Sequence, residues 1–423
     1  MAASRGARWP WVLWTTVVAV LVVAAATFGA VRVIAPPPDA TVSIDAPATL
    51  SLGGSVAPAI PTPKQGSFAV ATSLDGMIST RAAAAPRPIG SVAKAMTALV
   101  VLTAYPLSPG AAGPARTMTS ADVALYRQAL AGGGSTVPVH AGEVLTERDL
   151  LLALLLPSAN NIAETLAVWV SGNRTAFIAR LNATARTLGM THTHFADPSG
   201  VSPQTVSSAA DLVLLARSVL SNPALAQLVA TRQATLPGGT VLTNLDIMLA
   251  KQPGWLGVKT GWTSAAGGCL LFAARDAYAP DLVMTVWGAV LGQPAMAAPD
   301  PAHPELGAAF AEAQSAVVAA FRRYAAVDVG GLAPVVTGSV STAWGDGTQV
   351  VVAAHPRDVV LVRAGATMRL TLTRVTPPVA PIGSGVTVAR LTGVLDAKTS
   401  VTWQIVSQDA VPAPSLWWKL LHG

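Results

Sequence analysis

Between Arg8 and Arg32 the chain runs for 23 residues without a charge, from Trp9 and Pro10 through WVLWTTVVAVLVVAAATFGA to Val31. At about 1.5 Å per residue, a helix of this length crosses the ~30 Å hydrocarbon core of a bilayer. Arg5 and Arg8 precede it, which predicts that residues 1–8 stay in the cytoplasm while the bulk of the chain goes outside. Trp9, Trp11 and Trp14 then fall at the inner interface. A secretory signal has a shorter apolar region, about 7–15 residues. Residues 9–34 therefore read as an uncleaved, single-pass membrane anchor in preference to a cleaved signal peptide. If the segment is cleaved, the remainder is secreted; the chain is exported in both cases.

The rest of the composition agrees with export. Only 11% of the 423 residues are charged, against roughly 25% in ordinary soluble domains. Net charge is +6, yet no basic run interleaved with aromatics occurs, so nucleic acid is not an expected partner. A positive surface facing anionic lipid or wall polymer is compatible with the balance. The single cysteine, Cys269, has no partner for an internal disulfide and sits in GGCLLFAA, which reads as a buried strand.

Residues 35–66 are rich in Pro and Ala and predict a stiff linker holding the following unit off the membrane. SFAVATSLDGMIST then carries two short apolar runs around Asp75-Gly76, the mark of a β-hairpin. VAKAMTALVVLTAY, following Ser91, reads as a buried helix. Residues 118–235 are mainly helical by apolar spacing, with Gly189 as a helix stop and Ser207 or Ser208 as an N-cap. From 255, the runs WLGVKTG, GGCLLFAAR and DLVMTVWGAVLG read as strands, and a helix closes the unit near 326. Helices set into an interrupted sheet give an α/β (α+β) domain over 67–326. Short β-type runs separated by Gly, Pro and Asp follow over 327–410, a small all-β domain. Residues 411–423 form an apolar tail with Trp417 and Trp418, suited either to a membrane interface or to packing on the β domain.

Three motifs carry chemistry. Ser91 and Lys94 are three residues apart on a predicted helix, so hydroxyl and amine share a face. A serine needs a neighbouring base to become a nucleophile. Lysine can serve if burial or positive neighbours lower its pKa from about 10.4. None of the other lysines has a serine three residues before it. Ser158-Ala159-Asn160 follows an apolar helix and can thrust a hydroxyl and an amide into a cleft. Lys259-Thr260-Gly261 ends a predicted strand; a β-edge there pairs with an extended peptide, Gly261 allows close approach, and Lys259 and Thr260 suit a carboxylate. Taken singly, each motif is more simply a cap, a solvated lysine or a strand end. In this order, 69 and 99 residues apart, they form the set shared by penicillin-binding proteins and class A β-lactamases.

The chain resembles low-molecular-weight penicillin-binding proteins of the D-alanyl-D-alanine carboxypeptidase type, peptidase family S11. The resemblance is carried by IGSVAKAMTAL, HAGEVLTERDLLLALLLPSANNIAETLA, FADPSGVSPQTVSSAADLVLLAR and GVKTGWTSAAGGCLLFAA. It runs over about 67–300 and continues more weakly through APIGSGVTVARLTG. It implies a β-lactamase/transpeptidase-like catalytic domain and a cell-wall enzyme that removes the terminal D-alanine from peptidoglycan stem peptides and is acylated by penicillins. Ser91 would attack the carbonyl between two D-alanines and Lys94 would act as general base. Backbone N–H groups of Ser91 and Trp262 would form the oxyanion hole. Ser158 would relay the proton to the departing D-alanine, Asn160 would orient the substrate amide, and Lys259, Thr260 and Gly261 would hold the terminal carboxylate. No metal or organic cofactor is implied.

Against the family pattern, Asn161 replaces an expected Asp, Asp197 and Val201 replace Asn and Leu, and Trp262 stands where His is frequent. Three rivals remain. A class A-like β-lactamase would need a Glu for deacylation, and Glu164 is the sole Glu between Asn160 and Lys259, in a segment that reads as core or solvated helix. A non-catalytic wall-binding protein suits the anchor and β domain but has no use for a Ser–Lys pair. D,D-endopeptidase action keeps the chemistry and changes the bond.

Overall fold

The computed structural model describes residues 9–52, 56–296, 303–332, 334–375, 378–395 and 399–422; the expected cytoplasmic segment 1–8 lies outside them. The chain divides into two compact units, residues 57–325 and residues 1–56 with 326–423.

In the first unit, five strands form an antiparallel sheet in the order Trp255–Thr263, Gly267–Ala279, Leu282–Gln293, Ser67–Thr72, Gly76–Arg81. The expected hairpin at Asp75-Gly76 joins the last two. Burial is continuous from Gly268 to Ala274, so both faces of this strand are covered. That explains why GCLLFAA reads as an unbroken apolar run instead of alternating. Helices Ala209–Ser221 and Gly307–Arg322 pack on these strands.

The helical part surrounds Ala93–Ala104, in which every residue from Ala93 to Leu102 is buried. Several helices of this part start at side-chain caps that satisfy otherwise orphaned N–H groups. Thr119 and Thr146 make capping boxes with Asp122 and Asp149, and Asn173 and Ser208 cap the helices Arg174–Thr187 and Ala209–Ser221. Of the two serines read as N-cap candidates, Ser208 makes the bond. Helix Arg174–Thr187 gives way to Gly189 at φ 77°, as the sequence indicates.

The second unit departs from the expected linker. Residues within 35–66 supply two strands, Thr41–Asp45 and Thr49–Ser51, to a seven-stranded antiparallel sheet. They occupy its two opposite edges, around Thr337–Ser341, Gly347–Val352, Ser400–Ser407, Thr387–Val394 and Thr367–Arg374. Asp45 and Thr49 are four residues apart, a reach of at most ~14 Å. Seven strands laid flat at ~4.8 Å spacing would separate the edges by ~29 Å. The sheet therefore curls until its edges approach, and the short link crosses between them. The signal was present as the alternation TVSID, with Val42 and Ile44 turned inward, but the surrounding prolines outweighed it. Residues 57–66 belong with the first unit, where Ile60 is buried and Arg323 Nη1 donates to the Pro58 carbonyl at 2.6 Å.

Helix Trp9–Ile34 is long and apolar enough to cross a membrane and is not buried by protein. The tail forms a helix, Leu416–His422. Lys419 Nζ donates to the Val33 carbonyl at 2.9 Å, Arg32 Nη1 to the Leu420 carbonyl at 3.0 Å, and Trp418 meets Trp344 edge-on at 5.6 Å. The tail thus packs on its own β unit and on the end of the apolar helix together, while Trp417 stays exposed.

Candidate active site

Ser91 lies in a single 3-10 turn, Gly90–Val92, that leads directly into the helix Ala93–Ala104. The one-turn spacing does what the sequence predicts: Lys94 Nζ lies 2.7 Å from Ser91 Oγ. Two further bonds hold the amine, to Asn160 Oδ1 at 2.7 Å and to the Ser199 carbonyl at 2.9 Å. Lys94 is fully buried. Burial drives its pKa well below the ordinary lysine range, and the Lys259 charge lowers it further, while Asp197 and Glu164 oppose the shift. A buried lysine with three acceptors and a depressed pKa is poised to exchange a proton with the hydroxyl beside it.

The turn before Asn160 holds Ser158 at φ 67°, a left-handed conformation that costs a non-glycine residue about 1–2 kcal/mol. Ser158 is buried, and its Oγ has no hydrogen-bond partner among the described residues. Strain and an unpaired hydroxyl together mark a side chain held for a ligand rather than for the fold. Asn160 begins the helix Asn160–Ser171, and its N–H donates to the Ser135 carbonyl at 2.8 Å.

The third wall is the strand Trp255–Thr263, which runs against the Ser91 turn. A Cβ on Gly261 would lie 2.8 Å from the Ile89 carbonyl oxygen and from Val92 N, and 3.0 Å from Ser91 N. Only glycine permits this approach, which sets the Trp262 backbone beside that of Ser91. Lys259 and Thr260 are buried, 3.4 Å apart, and Trp262 is half exposed at the rim. Burial lowers the Lys259 pKa to about 7, with Asp246 partly restoring it. The residues picked from three separate stretches thus gather around one groove.

A model of the D-alanyl-D-alanine carboxypeptidase family, Peptidase_S11, matches residues 70–290. The chain belongs to this family. Over 136 residues it is 41% identical to the D-alanyl-D-alanine carboxypeptidase DacB2 of Mycobacterium tuberculosis, covering 31% of this chain and 46% of that protein. Over 191 residues it is 35% identical to a D-alanyl-D-alanine endopeptidase of Escherichia coli, covering 44% of this chain and 58% of that one. The chain thus spans about half the length of these curated relatives. The crystal structure of the Streptomyces K15 DD-transpeptidase superposes with a TM-score of 0.52 at 26% identity, over 62% of this chain and 99% of the other.

Two of the expected departures from the S11 pattern, Asn161 and Asp197, have local reasons. Asn161 pairs with both backbone groups of one residue through the two ends of its amide: it accepts from Val137 N–H at 3.1 Å and donates to the Val137 carbonyl at 2.9 Å. An aspartate could only accept. At Asp197 the requirement is reversed. Its carboxylate accepts from Ser199 N–H and Oγ–H, Val201 N–H and Thr205 Oγ1–H, and four converging donors favour a carboxylate over an amide. That cluster shapes the loop whose Ser199 carbonyl reaches Lys94. The sequence did not single out Ser199, because a backbone acceptor 105 positions away leaves no trace in residue type. Its neighbour Gly200 was the available clue: at φ 82°, a Cβ there would collide with the Gly90 carbonyl. Glu164 is neither core nor plain solvated helix; it lines a cleft beside Asn160 and pairs with Arg174.

Proposed function

We propose that the protein is a serine D-Ala-D-Ala carboxypeptidase that removes the terminal D-alanine from peptidoglycan stem peptides and is acylated by β-lactams. The observation that carries this reading is the buried Lys94 amine, 2.7 Å from both Ser91 Oγ and Asn160 Oδ1. As an ammonium it donates to all three of its acceptors. Once neutral, it keeps two donations, to Asn160 and Ser199, and its lone pair faces the Ser91 hydroxyl. Ser91 Oγ then attacks the carbonyl between the two D-alanines as Lys94 takes the proton. Ser91 and Trp262 N–H groups stabilise the oxyanion, a contribution worth about 10²–10³ in rate per donor. Ser158 passes the proton to the leaving amine. Asn160 orients the substrate amide, and Lys259, Thr260 and the close backbone at Gly261 hold the terminal carboxylate. Water then hydrolyses the acyl-enzyme.

We read the helix Trp9–Ile34 as a single-pass anchor, which puts residues 57–325 outside the cytoplasm within reach of the wall, with membrane lipid around the anchor. D,D-endopeptidase action on cross-links stays as a second reading, because the Escherichia coli relative bears that name. Purified protein is incubated with a fluorescent penicillin and, separately, with a D-Ala-D-Ala pentapeptide, followed by mass spectrometry. The expected result is one acyl group on Ser91 and release of one D-alanine. Labelling that survives in Ser91→Ala overturns the assignment, and cleavage of cross-linked dimers without release from the monomer favours the endopeptidase.

A further inference from the structure

Beside Asn160 lies a cleft of about 510 Å³. The mechanism above does not use it. Its walls include Asn160, Glu164, Arg174, Asp197 and Val201. Asn160 belongs both to this cleft and to the Lys94 site, so the two are continuous. The charged groups are arranged for a ligand with two opposite charges. Glu164 lies one helical turn after Asn160 on the same face, with its side chain 23% exposed and paired to Arg174 Nε at 3.2 Å. Burial raises the Glu164 pKa and Arg174 opposes that shift. Asp197 offers no comparable hook, because its carboxylate already takes four donors from its own loop.

The reach also fits. With the scissile carbonyl at Ser91 and the preceding amide at Asn160, the residue before the two D-alanines lies one residue further along an extended chain, about 3.5 Å. Glu164 lies about 5.4 Å along its helix from Asn160. A long side chain from that third residue spans the gap into the cleft. A terminus with an ammonium and a carboxylate can take over the internal pair one for one, ammonium to Glu164 and carboxylate to Arg174. An ammonium alone competes with Arg174 for Glu164 and leaves the guanidinium without a carboxylate, which is costly in a half-buried site.

We propose that this cleft is a specificity site for the third residue of the stem peptide, and that Glu164 and Arg174 select a diamino dicarboxylic side chain over a diamino monocarboxylic one. The proposal rests on the carboxypeptidase reading. The test uses full-length protein and three pentapeptides that differ only at the third residue: meso-2,6-diaminopimelic acid, lysine or norleucine. D-Alanine release is expected to have a kcat/KM about tenfold higher for the diaminopimelic peptide than for the lysine peptide, the scale set by one selective contact. Glu164→Gln and Arg174→Gln should each bring that ratio close to one. A merely structural loss would lower all three substrates together, with norleucine as the reference, and leave the ratio intact. A wild-type ratio near one, or a ratio that both variants preserve, overturns the proposal. Failure to release D-alanine from any peptide, with no labelling by fluorescent penicillin, instead overturns the carboxypeptidase reading and this site with it.

Discussion

The two units bury different things. Among the described residues, all the buried polar and charged side chains except Thr348 and Ser407 lie within residues 57–325. They include Lys94, Glu147, Asp197, Asp246 and Lys259. The β unit closes its curled sheet over aliphatic residues, Met368 and Trp403. Burying a charge costs several kcal/mol unless it is paired or hydrogen-bonded; Lys94 and Asp197 are held by three acceptors and four donors, whereas Glu147 has no partner among the described residues. In the first unit a subset of these groups, Lys94, Ser158, Ser199, Lys259 and Thr260, lies around Ser91. Among the described residues the β unit shows no such cluster, and its core is held mainly by packing. The contrast predicts that substitutions in the β core move unfolding, whereas those around the groove move rates and pH profiles.

The largest effect expected is in the β unit. Trp403 is 1% exposed, and its indole N–H has no hydrogen-bond partner among the described residues. Trp403→Ala should destabilise this unit by about 3–5 kcal/mol. Trp403→Phe should cost less, since it also removes an unpaired N–H. Denaturant unfolding monitored alongside fluorescent-penicillin labelling checks this: the β transition moves, and the labelling rate in native buffer does not. A parallel loss of labelling would mean that the two units do not respond separately.

Around the groove, the same logic gives a pH signature. In the proposed mechanism Lys94 must be neutral to accept the Ser91 proton, so acylation is expected to rise as pH passes its depressed pKa. Lys259 must be charged to hold a carboxylate, and with its pKa lowered to about 7 it loses that charge as pH rises further. The second-order rate of penicillin acylation should therefore be bell-shaped. At pH 9, two units above that pKa, the wild-type rate should lie about a hundredfold below its maximum. Arginine stays protonated, so Lys259→Arg should remove the alkaline fall even if its altered geometry lowers the plateau. An unchanged alkaline limb in the variant would assign that limb to another group.

How much of this was legible in the sequence follows from the range of each interaction. Ser91 and Lys94 meet because of helical geometry, which operates over three residues, and the hairpin and most helices were likewise written in local patterns; Gly261 was read as room for a peptide, whereas it gives room to the chain's own Ser91 turn. The Ser199 carbonyl, the donor cluster on Asp197 and the pairing of Asn161 with Val137 depend on the paths of loops far apart in the chain, and residue identity gives no register for those paths. Glu164 was read as an ordinary helical position because its partner Arg174 lies ten residues on, across the break between two helices. The edge strands at 41–51 were missed because strand propensity is decided by what the strand pairs with, here segments some 300 residues later.

Glu147 sharpens the comparison from within the first unit, because it is buried like Lys94 but without Lys94's partners. Its carboxylate is fully buried, and both oxygens lack hydrogen-bond partners among the described residues. Burial alone raises its pKa to about 7. For an acid whose folded pKa is raised, the unfolded chain ionises first as pH increases. Stability is therefore fully present below the unfolded value near 4.5 and declines as pH rises towards and through 7. Glu147→Gln keeps the shape and removes the charge. At pH 8 it should raise Tm by several degrees, with ~3 kcal/mol as the ceiling set by a shift from 4.5 to about 7, while at pH 4.5 the two proteins should melt nearly together. Thermal scans at both pH values separate the outcomes. A variant that melts lower at pH 8 would mean that the carboxylate is held by a favourable contact, and Glu147 would then stand with Lys94 as a buried charge that its surroundings support.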